Sequence, residues 1–390
     1  MKALSQLHGT NAQVVGLLAF GSGARNFSML EVINSEAPRH ALKAGFDVEV
    51  LSLATANPDF QITQTDAAAR VKALYPRLKR LWPLFDNTGI DVRYNCEPVE
   101  WYLAPHSWEE RTASFHRNAV NLLEQVTLKA IASASLSLDT IDMIITNTVT
   151  GLAIPSLDAL LFNRLKFMPN IERLPMFGLG CGAGVAGLSR ATRMAHATDG
   201  AHVLFLTVDL CSLCLRVNDP SPAMFVSSAL FGDGAAGILV HNTREGSRGG
   251  PRILASGEWC WRETEHIMGW DIKDDGFGVV LSPELPSLMS EQLAPALQDF
   301  LGRNGFELSD FNGFLFHPGG RKLIETMQQV LGLTPKQLEH SWGVLRDYGN
   351  MSSATVLFVL DRAMMAGARG PHLLAGFGPG FSAYFVVAEL

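Results

Sequence analysis

The run Gly178-Leu179-Gly180-Cys181-Gly182-Ala183-Gly184-Val185-Ala186-Gly187 constrains this chain more than any other. Residues this small permit a sharp strand-to-helix turn and leave the sulfur approachable, while the first N–H groups of the following helix favour a thiolate. This is how a chain builds a nucleophile elbow. A buried, inert cysteine beside glycines used for close packing is the competing reading of the same residues.

Two further segments bear on that choice. In Gly313-Phe314-Leu315-Phe316-His317-Pro318-Gly319-Gly320-Arg321, a short apolar run ends in histidine and then turns, a position from which an imidazole reaches into a pocket. In Asp347-Tyr348-Gly349-Asn350-Met351-Ser352-Ser353-Ala354, Asn350 precedes an apolar stretch and reads, taken singly, as a helix N-cap or turn residue. Together the three types form a chemical set. A cysteine nucleophile, a histidine to stabilise its thiolate and an amide donor for a developing oxyanion are the parts of acyl transfer from a thioester. The same set suits decarboxylation of a malonyl thioester, where an enolate oxygen needs two N–H donors. No carboxylate is required nearby, and one would oppose both anions by Coulomb repulsion.

With Ala229-Leu230-Phe231-Gly232-Asp233-Gly234-Ala235-Ala236 and Gly376-Phe377-Gly378-Pro379-Gly380, these blocks stand in an order that resembles the type III polyketide synthases. That is the chalcone synthase-like branch of the thiolase superfamily, and the resemblance runs from Phe46 to Leu390. It implies an α/β chain with the five-layered αβαβα thiolase fold, built from two similar halves. Cys181 would accept a starter acyl group from coenzyme A, and His317 with Asn350 would support malonyl decarboxylation. Phe231 would be an apolar gate between the coenzyme A tunnel and the cavity. The resemblance further assigns Val149, Thr150, Cys214, Trp270, Val279 and Ser352 to the substrate cavity, Val279 replacing a bulkier gate residue. Ile154, before Pro155, aligns with a residue inserted across a dimer interface, so a homodimer is implied. Arg80 matches a basic coenzyme A position at the tunnel mouth, although Pro83 and Asn87 occupy other such positions.

Composition fits a large soluble enzyme: 390 residues, 47% hydrophobic, with 36 glycines and a formal net charge of −7. The negative balance argues against a general nucleic-acid surface, so polyanionic coenzyme A needs a local basic patch. The segment from Arg70 to Arg80, with Lys72, Arg77 and Lys79, offers one, and reads equally as a solvated helix face. Five cysteines form no disulfide framework and suit a reducing compartment. Cys211-Ser212-Leu213-Cys214 lacks the second ligand pair of a zinc site, and neither a metal nor a bound cofactor is expected. Val14 to Phe20 resembles a short signal-peptide core without a cleavage site, and no run is long enough for stable membrane insertion, so the chain reads as cytoplasmic.

Alternating strands and helices suggest stacked mixed sheets. The polar, glycine-rich stretch Arg244 to Pro251 reads as a linker between residues 1–245, which carry Cys181, and 246–390, which carry His317 and Asn350. The Met268-Gly269-Trp270-Asp271 block and the segment through Pro286 look most like bacterial synthases of alkylresorcinols and alkylpyrones from acyl-CoA and malonyl-CoA. A malonyl-only synthase of small phenols, phloroglucinol or tetrahydroxynaphthalene, is the alternative. A 3-ketoacyl-carrier-protein synthase III-like enzyme would carry Gln-Ala-Asn after its histidine, where Pro318-Gly319-Gly320 stands here. A non-catalytic relative would lack a member of the trio.

Overall fold

Apolar side chains alternate along the central strands and find cover on both faces, which sets the layering. The computed structural model describes residues 46–390. The stretch Val14 to Phe20 lies outside them. The strands are β1 (Val48–Ala56), β2 (Phe60–Thr63), β3 (Val92–Asn95), β4 (Met143–Thr148), β5 (Glu172–Phe177), β6 (His202–Leu210), β7 (Asp233–Asn242), β8 (Arg252–Cys260), β9 (Met268–Lys273), β10 (Gly276–Leu281), β11 (Gly313–Phe316), β12 (Pro371–Gly378) and β13 (Ser382–Glu389). The helices are α1 (Gln64–Leu74), α2 (Pro83–Asp86), α3 (Trp108–Ser133), α4 (Leu157–Phe162), α5 (Ala183–Ala197), α6 (Pro222–Leu230), α7 (Leu285–Asn304), α8 (Arg321–Leu331), α9 (Glu339–Tyr348) and α10 (Thr355–Met365).

On β7, Ala236, Ile238 and Val240 pack with α5 and α10, whereas Ala235 and Leu239 turn to the cluster around α3. On β13, Tyr384, Val386 and Ala388 join the central cluster, and Ala383, Phe385 and Val387 join the one built on α7 and α8. The result is five layers: α3, a sheet layer, the buried pair α5 and α10, a second sheet layer, and α7 with α8. This is the thiolase-type α/β arrangement that the resemblance implies. The two sheet layers are not separate. They run on as one nine-stranded order, β11-β12-β13-β8-β1-β7-β6-β4-β5, joined by the single pair Glu49 and Arg252. Strands before residue 245 lie on one side of that join and strands after it on the other.

Local signals account for the elements. α3 begins at a capping box in which Ser107 Oγ accepts from the Glu110 N–H at 3.2 Å and Glu110 Oε2 accepts from the Ser107 N–H at 2.8 Å. The stretch Arg244 to Pro251, read as a linker, is held firmly. Its composition suggests a loose tether, yet the fully buried Glu49 carboxylate accepts from the Arg248 N–H at 2.7 Å, the Ser247 hydroxyl at 2.8 Å and the Gly250 N–H at 3.2 Å. A buried charge demands such donors, and they fix the connection in place. No helix among the described residues is long and apolar enough to cross a membrane.

Candidate active site

Cys181 sits in a turn of 3-10 helix, Gly180–Gly182, between β5 and α5. Gly180 has φ +51°, and a Cβ there would lie 2.5 Å from Pro379, so the turn and the close loop at residues 376–380 both require glycine. At Gly184 a Cβ would lie 2.3 Å from the Ser353 carbonyl oxygen, which lets α5 press its first turn against the segment after Asn350. His317 follows β11, its N–H bonded to the Ala375 carbonyl at 2.8 Å. Asn350 is fixed by reciprocal backbone bonds: its N–H donates to Leu230 O and its carbonyl accepts from Gly232 N–H, both at 2.9 Å. Those bonds set Phe231, at the end of α6, beside Asn350.

The three groups meet at one cavity of about 690 Å³. Asn350 is only 2% exposed, and its Oδ1 accepts from the Ser352 N–H at 2.8 Å. That bond orients the amide so that Nδ2 is a donor, 3.2 Å from the Gly319 carbonyl, on the cavity wall. Ser352 holds a left-handed φ of +51°, a strained backbone for a residue with a side chain. Its hydroxyl accepts from Cys181 Sγ at 3.7 Å.

The electrostatics differ from the expectation of a thiolate held by His317. Burial pushes the Cys181 thiol up to about 12, with hydrogen bonding to Ser352 opposing and the Asp209 charge adding to the rise. Burial alone lowers His317 to about 3. Among the described residues neither ring nitrogen of His317 has a hydrogen-bond partner. Each group taken singly is therefore neutral, because either lone charge would be desolvated here. Proton transfer from sulfur to imidazole creates two charges that compensate each other, and it requires Sγ to turn from Ser352 towards His317.

A carboxylate stands behind the site, although the chemistry read from the sequence requires none there. Asp209 is fully buried and accepts from the Val149 N–H at 2.8 Å, the Ser353 N–H at 3.0 Å and the Ser353 hydroxyl. Burial raises its pKa while those donors oppose the rise. It braces the loop after β4 against the Ser352–Ser353 turn. The apolar run around Asp209 carried no signal of that role, since an acidic residue near the end of an apolar strand usually faces solvent.

Of the other cavity residues expected, Val149, Phe231, Trp270, Val279 and Ser352 line the cavity. Thr150 and Cys214 do not. The Thr150 hydroxyl accepts from Leu210 N–H at 2.8 Å and donates to Asp209 at 3.3 Å, which turns it into the core. Cys211 and Cys214 bound one 3-10 turn, so they lie roughly 6 Å apart along its axis. Cys211 reaches the cavity, and Cys214 is buried beside Arg111. Arg80 is exposed in the turn Pro76–Leu81 and lies outside the lining, where Asn87, Arg321 and Lys322 stand instead. Ile154 is 97% exposed and touches no part of the cavity in one chain.

Sequence reasoning placed Trp270 and Val279 at the cavity but did not read the apolar wall to which they belong. It is the antiparallel pair β9 and β10, with Trp270 facing Val279 and Ile272 facing Phe277, continued by Leu285 and Met289 of α7. The Asp275-Gly276 step, with Gly276 at φ +146°, is the turn signal that marks this hairpin.

Residues 39–243 match the N-terminal domain of the chalcone and stilbene synthases, and residues 255–387 match their C-terminal domain. A putative chalcone synthase of Bacillus subtilis is 32% identical over 85% of this chain and 96% of its own length. The 1,3,6,8-tetrahydroxynaphthalene synthase of Streptomyces peucetius is 34% identical over 87% of this chain and 92% of its own. The crystal structure of 1,3,6,8-tetrahydroxynaphthalene synthase from Streptomyces coelicolor, a bacterial type III polyketide synthase, superposes with a TM-score of 0.83 at 31% identity, covering 87% of this chain and 99% of that one.

Proposed function

This chain belongs to the chalcone and stilbene synthase family, the type III polyketide synthases, and from that premise we propose that it loads a long-chain fatty acyl group from coenzyme A, extends it with malonyl-CoA and cyclises the product to an alkylresorcinol or alkylpyrone. The observation that carries this reading is a cavity of about 690 Å³ lined both by Cys181, His317 and Asn350 and by the apolar β9–β10 hairpin. In loading, His317 takes the Cys181 proton, the sulfur attacks the thioester carbonyl, and coenzyme A leaves with a proton from the imidazole. In extension, malonyl-CoA loses carbon dioxide, and its enolate oxygen is held by His317 and the Asn350 Nδ2 donor. The enolate carbon then attacks the Cys181 thioester, and the sulfur is released for the next transfer.

The two halves proposed, 1–245 and 246–390, each contribute to this site, and the order of strands about the Glu49–Arg252 pair supports the division. Coenzyme A phosphates would meet Arg321 and Lys322 on the cavity wall in place of Arg80. The active form is proposed to be a homodimer in which Ile154 enters the partner. Five free cysteines suit the cytoplasm.

Incubation with malonyl-CoA and acyl-CoAs of graded length, followed by product mass spectrometry, tests the starter. Long-chain tri- and tetraketides are expected. The likeness to tetrahydroxynaphthalene synthases favours a second reading, a malonyl-only synthase, and an aromatic product from malonyl-CoA alone with every acyl-CoA ignored would replace the first reading with it.

A further inference from the structure

Arg216 stands where three parts of the cavity's frame meet. It follows the turn Cys211–Cys214, from which Cys211 reaches the cavity. From Nη1 it donates to Asp219 at 3.1 Å, and Asp219 in turn accepts from the Ser221 N–H at 2.9 Å. Ser221 is the N-cap of α6, the helix that presents Pro222, Ala223 and Val226 to the cavity. From Nε, Arg216 donates to Asp275 at 2.7 Å, at the tip of the β9–β10 hairpin. Its side chain is only 10% exposed, so salt and water screen the two pairs little.

The hairpin is shaped to receive this side chain. β10 begins Gly276, Phe277, Gly278, Val279, so that Phe277 and Val279 share one face and line the cavity, while the two glycines share the other. A Cβ on Gly276 would lie 3.7 Å from Arg216 Cδ, and one on Gly278 would lie 3.1 Å from Arg216 Nη1. The arginine therefore runs along the back of β10 and stops one residue short of Val279. Little else fastens the tip. The hairpin pairs with no other strand among the described residues, and the other hydrogen bond from its tip to the body of the chain is that of Trp108 Nε1 to the Lys273 carbonyl, at 2.7 Å. Ile272 lines the cavity and is yet 65% exposed, so at that point the hairpin is a single layer between the cavity and water.

We propose that Arg216 is a specificity-determining positioning residue: by clamping the back of β10 to the start of α6, it fixes the separation of two cavity walls and so the acyl chain that the cavity admits. Arg216 itself lies outside the cavity lining and acts through Val279 and its neighbours. The planar guanidinium serves carboxylates on two elements from separate nitrogens, which the single ammonium of a lysine does not reproduce. Loosening the clamp lets the hairpin move outward, and a long chain, which takes its binding energy from contact with that wall, loses more than a short one. The kinetic part of this inference rests on the acyl-starter reading, whereas the hold on the hairpin does not.

Asp275→Asn in the full-length protein tests the clamp, because it removes one arm at a partly exposed position. Hydrogen exchange should be about tenfold faster in the amides of β9 and β10, with the nine-stranded sheet unchanged. The palmitoyl-to-hexanoyl ratio of specificity constants should fall about fivefold, carried by KM, while malonyl decarboxylation stays within about twofold of the parent. Asp275→Glu should restore both readouts, and Arg216→Lys should reproduce the loss; if Arg216→Lys does not fold, the two Asp275 variants decide. Unchanged exchange in the hairpin, unchanged selectivity despite faster exchange, or a parallel fall of loading and decarboxylation would each overturn the proposal. A parent that ignores every acyl-CoA would sink the starter reading alone. The clamp is then read from the number of malonyl units in the product, which should change in Asp275→Asn, and an unchanged number would overturn it.

Discussion

At the scale of single residues, the site couples two groups that burial keeps neutral. Cys181→Ala should abolish starter loading and leave the fold intact, because the side chain stands on a cavity wall and its loss opens little new space. Intact-protein mass spectrometry after incubation with acyl-CoA checks this, and an acyl adduct surviving on the variant would sink the assignment. His317 and Asn350 separate by function. With its Oδ1 tied to Ser352 N–H, Asn350 is a donor, so Asn350→Ala should keep Cys181 sensitive to iodoacetamide while malonyl decarboxylation falls by about two to three orders of magnitude. His317→Ala should harm both. The pH dependence follows from the thiol. Its pKa is raised to about 12, so without an internal base the thiolate fraction, and the alkylation rate, should grow about tenfold per pH unit from 7 to 10 in His317→Ala. In the unsubstituted enzyme the imidazole accepts the proton, and the rate should already be near its plateau at neutral pH. Identical curves for the two proteins would refute the proton transfer.

At the scale of elements, the β9–β10 hairpin sets how wide the cavity is. Val279 faces Trp270 directly across the pair, so Val279→Phe should crowd the indole and narrow the passage. Each methylene held in an apolar tunnel contributes about 0.8 kcal/mol, so specificity constants should rise from hexanoyl to palmitoyl thioesters in the parent. The variant should reverse that order while sparing malonyl decarboxylation, and an unchanged order would remove Val279 from the tunnel. This hairpin also shows where the sequence stops being legible. The central strands and α3 announce themselves by period and by caps, and the trio by its flanking glycines and turns. β9 carries Met268, Trp270 and Ile272 at alternate positions with Gly269 and Asp271 between, a short pattern easily taken for loop. The inward turn of Thr150 depends on the hydrogen bonds its hydroxyl finds across the fold, and the depth of Cys214 and the place of Arg80 outside the cavity depend on how their elements pack; spacing along the chain encodes neither. Asp209 was hidden for the same reason, its donors coming from residues far away in sequence.

At the scale of the whole molecule, one chain leaves an edge and an apolar group without cover. β5 ends the nine-stranded order, and its outer side is unpaired among the described residues. Beyond β4, Leu152 is 51% exposed and Ile154 97%, while Phe177 at the end of β5 is 50% exposed and also lines the cavity. An isolated exposed aliphatic residue needs no explanation, but an open sheet edge flanked by several is a surface that association would remove from water. Replacing Ile154 by arginine would set a charge where the proposed dimer buries a side chain, at a cost of several kcal/mol if the position is closed to water. Sedimentation velocity at micromolar protein should therefore find the parent at twice the chain mass and Ile154→Arg at the chain mass. If the partner's Ile154 completes the cavity, condensation should be lost with dissociation, while Cys181 alkylation, which needs only one chain, should persist. A parent that sediments as a fully active monomer would remove the dimer, and an active dimeric Ile154→Arg would place the contact elsewhere on the surface.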